Sequence, residues 1–321
     1  MSDTLSQPPI HILTSKPTSS IFTNIFESIM EFFRSDEIIE PKIRESKDLI
    51  RINLCHCPKT KNRDYCDNIY EILQMTKNTN NKRSKELYLR LLQINDNLLD
   101  SNGDNLRQIR KDTCRTYRSS VNIESKDLVL QKLENVLRAF SAYDNTMKYC
   151  QGMNFIVGFL LYHCEEHIAF WIFVSLIEEY NLRSIFVENF PGLKLHVKRM
   201  ELILQREYPF YWESFEKLGV RVDIFMIEYL FSMFSSLIPL DLQMDFYKGF
   251  FSQGWIFFYK VCISLILSLK GKFTEADEIY IKLKNGNEDN ANPNEIYKSW
   301  KKILERAYNI NIKTDVMNIS D

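Results

Sequence analysis

No proline interrupts this chain from Lys59 through Phe190. Proline inside a helix removes a backbone donor and clashes with the preceding turn, so such a gap permits long helices. Glycine is scarce as well: 9 in 321 residues, none before Gly103, well under the roughly 7% average. A glycine-rich phosphate loop cannot be drawn, and neither GxGxxG nor GxxxxGK followed by Ser or Thr occurs. The chain is therefore not expected to bind a nucleotide by itself.

Hydrophobic spacing fills this permissive frame with helices. Ser125 and Asp127 open one in which Val129, Leu133, Val136, Leu137 and Phe140 recur at three- and four-residue intervals. It ends near Tyr143-Asp144-Asn145. Phe155, Ile156, Phe159 and Leu160 follow as a buried helix. Similar patterns cover roughly 165–180, 193–208, 210–217, 223–235, 241–252 and 255–269, with breaks at Pro191-Gly192, Pro209, Gly219, Pro239 and Gly254. Upstream, 64–93 reads as two helices around a polar 77–82 loop, with Tyr70, Leu73, Leu87, Leu91 and Leu92 inward. Asn95 to Asn105 reads as a polar connection. A last helix beginning at Asn294 turns Ile296, Trp300, Ile303, Leu304 and Tyr308 inward. No alternating strand pattern of useful length and no fixed-period repeat occurs, so the fold class is all-α.

Charge and cysteine content exclude other classes. Lys plus Arg is 41 and Asp plus Glu is 42, a net charge of -1, so no global field draws in nucleic acid or acidic lipid. Seven cysteines without a secretory signal fit a reduced, cytoplasmic setting. No run reaches the roughly 20 apolar residues of a membrane span. Residues 1–19 are polar. Ser20 can cap a short amphipathic helix whose apolar face includes Ile21, Phe22, Ile25, Phe26, Ile29 and Phe33. Its polar face carries Glu27 and Glu31, which disfavours an anionic membrane. Cys55, His56, Cys57 and Cys66 offer zinc-ligand types, but a Cys-x-Cys pair is tight for a structural site. His163 and His167 lie one helical turn apart without an H-E-x-x-H pattern, so a helix-surface pair is the default.

Two segments carry the chemistry: Ile109-Arg110-Lys111-Asp112-Thr113-Cys114-Arg115-Thr116 and Tyr149-Cys150-Gln151-Gly152-Met153-Asn154. Asp112 and Arg115 share a face of a helical turn, so the carboxylate can hold the guanidinium in a defined pose. Taken alone, this would be a surface pair worth ~0.2–1 kcal/mol. Gln151 sits where a loop becomes a helix, a position that presents a side chain and backbone donors together. A guanidinium neutralises charge on a transferring phosphoryl group, and a carboxamide holds an attacking water in line. Tyr149 reads as packed support with a paired hydroxyl and Thr116 as a local turn contact. Gly152 allows close backbone approach to a ligand or a neighbour, and Asn154 reads as a supporting hydrogen bonder.

Together these segments resemble the signature of the TBC domain of Rab GTPase-activating proteins. Ile109, Asp112, Arg115 and Thr116 fill I-x-x-D-x-x-R-T. Tyr149, Gln151 and Gly152 fill Y-x-Q-G, with Gln151 following Arg115 by 36 positions. Pro191-Gly192-Leu193, Phe234, Pro239-Leu240, Phe250, Gly254 and Trp255 keep a similar register downstream, so the resemblance spans about residues 60–270. Cys66, Tyr70, Lys148, Tyr247, Lys248 and Gln253 depart from it. The resemblance implies a V-shaped all-α domain. Residues 46–165 would form an N-terminal subdomain holding both motifs, and 166–284 a C-terminal one. An extension (1–45) and a polar linker, helix and tail (285–321) would flank them. Arg115 would act as an arginine finger and Gln151 as a glutamine finger in trans, regulating vesicle traffic at endomembranes. A Rab-family GTPase would be the partner and would carry GTP and magnesium. No cofactor of the chain's own, no nucleic acid and no independent catalytic activity are implied. A non-catalytic TBC-fold module that holds a small GTPase is the alternative, motivated by Lys148, Tyr247 and Lys248.

Overall fold

The computed structural model describes residues 85–94, 104–116, 126–271, 274–284, 292–313, 315 and 317. The chain partitions into Met1–Ile39 and Glu40–Asp321, and every described residue belongs to the second unit. The amphipathic segment at 20–33, the cysteine cluster at 55–66 and the first helix of 64–93 lie outside the described residues.

Among the described residues every regular element is a helix. In chain order these are α1 (Lys85–Leu92), α2 (Asp104–Thr113), α3 (Lys126–Tyr143), α4 (Met153–His163), α5 (Glu166–Glu178), α6 (Arg183–Phe186) and α7 (Pro191–Glu207). Then follow α8 (Pro209–Leu218), α9 (Val222–Ser232), α10 (Leu240–Gln253), α11 (Trp255–Ser268), α12 (Ala276–Lys284) and α13 (Pro293–Asn309). No described helix is long and apolar enough to cross a membrane.

The apolar stripes explain the packing. Leu133, Val136, Leu137 and Phe140 are buried on α3, which packs against α1, α2, α4 and α5. Helices α4, α5, α9 and α11 are apolar on nearly all sides, as expected of helices surrounded by other elements. Tyr88 anchors α1: its hydroxyl donates to Glu166 Oε1 at 2.6 Å, and its ring lies 5.2 Å from Phe170. Sequence spacing favoured Leu87, Leu91 and Leu92, which are only half-buried.

Several boundaries differ from expectation. Pro191 and Gly192 form the first turn of α7 rather than a break before it, because proline at the first helical position loses no bond. Helix α9 ends at Ser232, short of 235, since Met233 and Phe234 adopt positive φ of 47° and 59°. Left-handed backbone is costly for apolar residues. Burial of Phe234 against Tyr229, Phe246 and Phe258 offsets it. Helices α6 and α12 were not expected. Tyr308 is 45% exposed instead of inward, and Ala307 occupies the buried position of that turn.

A buried polar chain crosses the α7–α11 contact. Arg199 can only donate, so the Tyr259 hydroxyl gives its proton to His196 Nδ1, 2.6 Å away. Burial and then the Arg199 charge push the imidazole down to about 3. An unfolded histidine binds its proton near pH ~6.5. Between these values the unfolded state takes up a proton that the folded state refuses, so stability is full above pH ~6.5 and falls as pH drops. His196 alone contributes a slope of up to about 1.4 kcal/mol per pH unit. His163, lowered to about 4 by burial, adds in the same direction. Urea midpoints of wild type and His196→Gln across this window check this: the variant should show the shallower acid loss.

Candidate functional site

The two motif segments meet at Asp112. The α2 helix buries Leu106 and Ile109 and, on the same side, Asp112 and Thr113. Ile109 is therefore a packing residue that fixes the helix on α3 and α4. Beyond Thr113 the chain turns, with Arg115 N–H donating to Asp112 O at 3.2 Å and Thr116 N–H to Thr113 O at 3.2 Å. This turn brings the Arg115 guanidinium back onto Asp112 Oδ1.

The Asp112 carboxylate is fully buried, and the Arg115 side chain is 10% exposed. The pair is therefore no surface salt bridge of the kind the spacing alone suggested. Gln108 Nε2 donates to the same oxygen at 3.0 Å, and the Tyr149 hydroxyl donates to Oδ2 at 2.8 Å. Three donors thus hold one buried carboxylate, as a buried charge requires.

Asn154 ties the second segment to the first. Its Oδ1 accepts the Gly152 N–H at 3.0 Å and lies 3.1 Å from the Tyr149 hydroxyl. Its Nδ2 donates to Thr116 Oγ1 at 3.0 Å, and that hydroxyl donates to Asp112 O at 2.9 Å. Asp112, Arg115, Thr116, Tyr149, Gly152 and Asn154 thus form one hydrogen-bonded unit. Gln151 is joined to it as the chain neighbour of Gly152. It lies half-buried in the turn before α4, and its carboxamide makes no hydrogen bond to another described residue.

Gly152 has φ of 109°, where side chains are disfavoured. A Cβ there would lie 2.8 Å from the Phe231 carbonyl carbon and closer still to its oxygen. The close approach is therefore to the chain's own α9 backbone, not to an open surface. Several of the backbone donors at this helix start are already taken. The N–H of Gly152 is held by Asn154, that of Met153 bonds Cys150 O at 3.2 Å, and that of Phe155 bonds Gly152 O at 3.0 Å.

Electrostatics keep the site simple. Burial, and then the Asp112 charge, push the Tyr149 phenol well above its usual range and the Cys150 thiol up to about 12. Both stay neutral at physiological pH, which leaves the charge of the network on the Arg115–Asp112 pair. Asp112→Asn should cost about 2–3 kcal/mol, because a nearly buried guanidinium loses its counter-charge but can still turn partly to water. Chemical denaturation measures this, and a loss below ~0.5 kcal/mol contradicts the assigned support.

Two contributors escaped sequence reading. Asn105 lies in the first turn of α2, not in a connection, and its Oδ1 accepts the Tyr149 N–H at 3.0 Å. No sequence pattern marks it. Gln108 was legible in principle, since it precedes Asp112 by one helical turn. Of the histidines, His163 lies edge-on to Phe159 and Tyr162, and His167 Nδ1 is 3.5 Å from Glu165. No group of three metal-ligating side chains occurs among the described residues. Tyr247 is core: it stacks on Phe159 at 4.2 Å and bonds Ser235 at 2.9 Å.

An all-helical domain with an arginine turn and a glutamine turn fastened through one buried carboxylate defines a class, and comparison with known proteins names it. The Rab-GTPase-TBC domain matches residues 61–274, and the chain belongs to that family. It is 29% identical over 170 residues to the human ecotropic viral integration site 5 protein homolog, covering 53% of this chain and 21% of that protein. It is 26% identical over 231 residues to the Saccharomyces cerevisiae GTPase-activating protein GYP5, covering 68% and 24%. The chain thus spans less than a quarter of the length of these curated relatives. Among solved structures, a Chlamydomonas flagellar RabGAP TBC domain shares the fold, with a TM-score of 0.59 and 14% identity over 78% of this chain and 85% of that one.

Proposed function

We propose that this protein stimulates GTP hydrolysis on a Rab-type small GTPase, with Arg115 and Gln151 supplied in trans. The observation that carries the reading is the fastening of the two segments: Tyr149 reaches Asp112 and Asn154 reaches Thr116. Separate loops bearing a cationic fork and an amide are thereby held in one mutual register. Such pre-positioning lowers the entropy lost when both groups engage a transition state. Arg115 leaves Asp112 for the transferring phosphoryl oxygens, and Gln108 and Tyr149 remain on the carboxylate. Gln151, whose carboxamide has no hydrogen bond to another described residue to break, orients the attacking water. GTP and magnesium are the partner's, and the setting is vesicle traffic at endomembranes. The test follows phosphate release from a panel of GTP-loaded Rab proteins, which should accelerate for at least one member. Intrinsic rates throughout the panel overturn the reading.

A second reading rests on the pose of Arg115, whose guanidinium lies on its own chain's carboxylate with little exposure. A domain that keeps this pose when bound would hold a GTPase without accelerating it. Tight association with a GTP-loaded Rab at its intrinsic hydrolysis rate identifies that case.

A further inference from the structure

Around the two motif segments four arginines are committed to carboxylates. Arg107 binds Asp104 and Arg110 binds Glu134, each at 2.8 Å. Arg115 binds Asp112, and Arg183 binds Asp144. Lys111 and Lys148 are different. Both are exposed, and among the described residues neither forms an ion pair. Each immediately precedes one member of the Asp112–Tyr149 hydrogen bond, so the two flank the fastened segments. Their α-carbons can lie no more than about 20 Å apart, counting two Cα–Cα steps and the bonded side chains. A standard interface covers ~800 Å² on each partner, wide enough to take both. The surplus charge is local, since the whole chain carries -1.

We propose that Lys111 and Lys148 form a cationic rim that docks an acidic protein surface of the GTPase beside its nucleotide, and thereby selects which GTPases are accepted. The inference rests on the proposed function and names its selectivity device. A protein partner fits better than a membrane. Polybasic membrane anchoring takes clusters of four to eight basic residues at ~1 kcal/mol each, and here there are two. Exposed rim charges lose little hydration on docking, so they act mainly by steering encounter and less by holding the complex.

The test measures association of the full chain with GTP-loaded Rab proteins at low and at physiological ionic strength, and hydrolysis in parallel. Lys111→Glu/Lys148→Glu should slow association with the best partner about tenfold and flatten its salt dependence. Hydrolysis at saturating protein should be unchanged. Lys111→Gln/Lys148→Gln should fall between, and all variants should keep the wild-type melting temperature. Wild-type association rates and salt slopes in the Glu variant overturn the rim, even where hydrolysis is stimulated. Lysine-dependent association without stimulated hydrolysis keeps the rim and overturns the GTPase-activating reading. Absence of association with every GTP-loaded Rab overturns both. Loss of binding only to vesicles of phosphatidylserine assigns the lysines to a membrane and overturns the rim.

Discussion

Arg115→Ala is expected to reduce stimulated GTP hydrolysis at least about a thousandfold, within the range of 10³–10⁵ for an arginine finger, or roughly 4–7 kcal/mol of barrier. Loss of a stabilising pair with Asp112 complicates that variant, because among the described residues it leaves the buried carboxylate with Gln108 and Tyr149 alone. Arg115→Lys separates the two effects. It keeps a cation for Asp112 and hence most of the stability, yet lacks the planar fork that spans two phosphoryl oxygens, so its rate should also collapse. Gln151→Ala should lose at least about tenfold in rate with an unchanged melting temperature, since no described residue bonds its carboxamide. Single-turnover phosphate release under saturating protein reads the chemistry directly. Rates within twofold of wild type in either Arg115 variant would remove the finger assignment.

Gly152→Ala is the second large effect and acts through folding. Two penalties coincide there. The backbone sits at a φ of 109°, which costs a side chain of order 1–3 kcal/mol. The added methyl also meets the Phe231 carbonyl, with its carbon at 2.8 Å. A backbone group cannot rotate away as a side chain can, so α4 must part from α9. A total loss of about 3–5 kcal/mol follows, a large share of the 5–15 kcal/mol of a typical domain. Urea denaturation should show a markedly lower midpoint at an unchanged slope. A shift worth less than ~1 kcal/mol would mean that the turn relaxes and that its geometry is not fixed by α9.

Much of the fold was legible because its signals are local. Leu133, Val136, Leu137 and Phe140 repeat at helical spacing whatever surrounds them, and all are buried on α3. Pro209 and Gly219 bracket α8 as start and stop residues should. What escaped depends on distant partners. The end of α9 is decided by the burial of Phe234 among rings from α10 and α11. Tyr88 outweighs its leucine neighbours because Glu166 and Phe170 lie opposite. At the site, Asp112 and Arg115 could be paired by spacing, but burial of their contact could not be read that way. The roles of Asn105 and Gln108 needed the position of Tyr149 and the shape of the arginine turn.

The sequence by itself determined an all-helical chain and the residue types able to act on a phosphoryl group, because periodicity and motif spacing are properties of neighbours along the backbone. Only the tertiary structure decided that one buried carboxylate fastens both motif segments, that Gly152 yields to a carbonyl of α9, and that Lys111 and Lys148 beside them form no ion pair with a described residue. Those are facts about groups far apart in the chain, and their energies depend on solvent exclusion that exists only after packing.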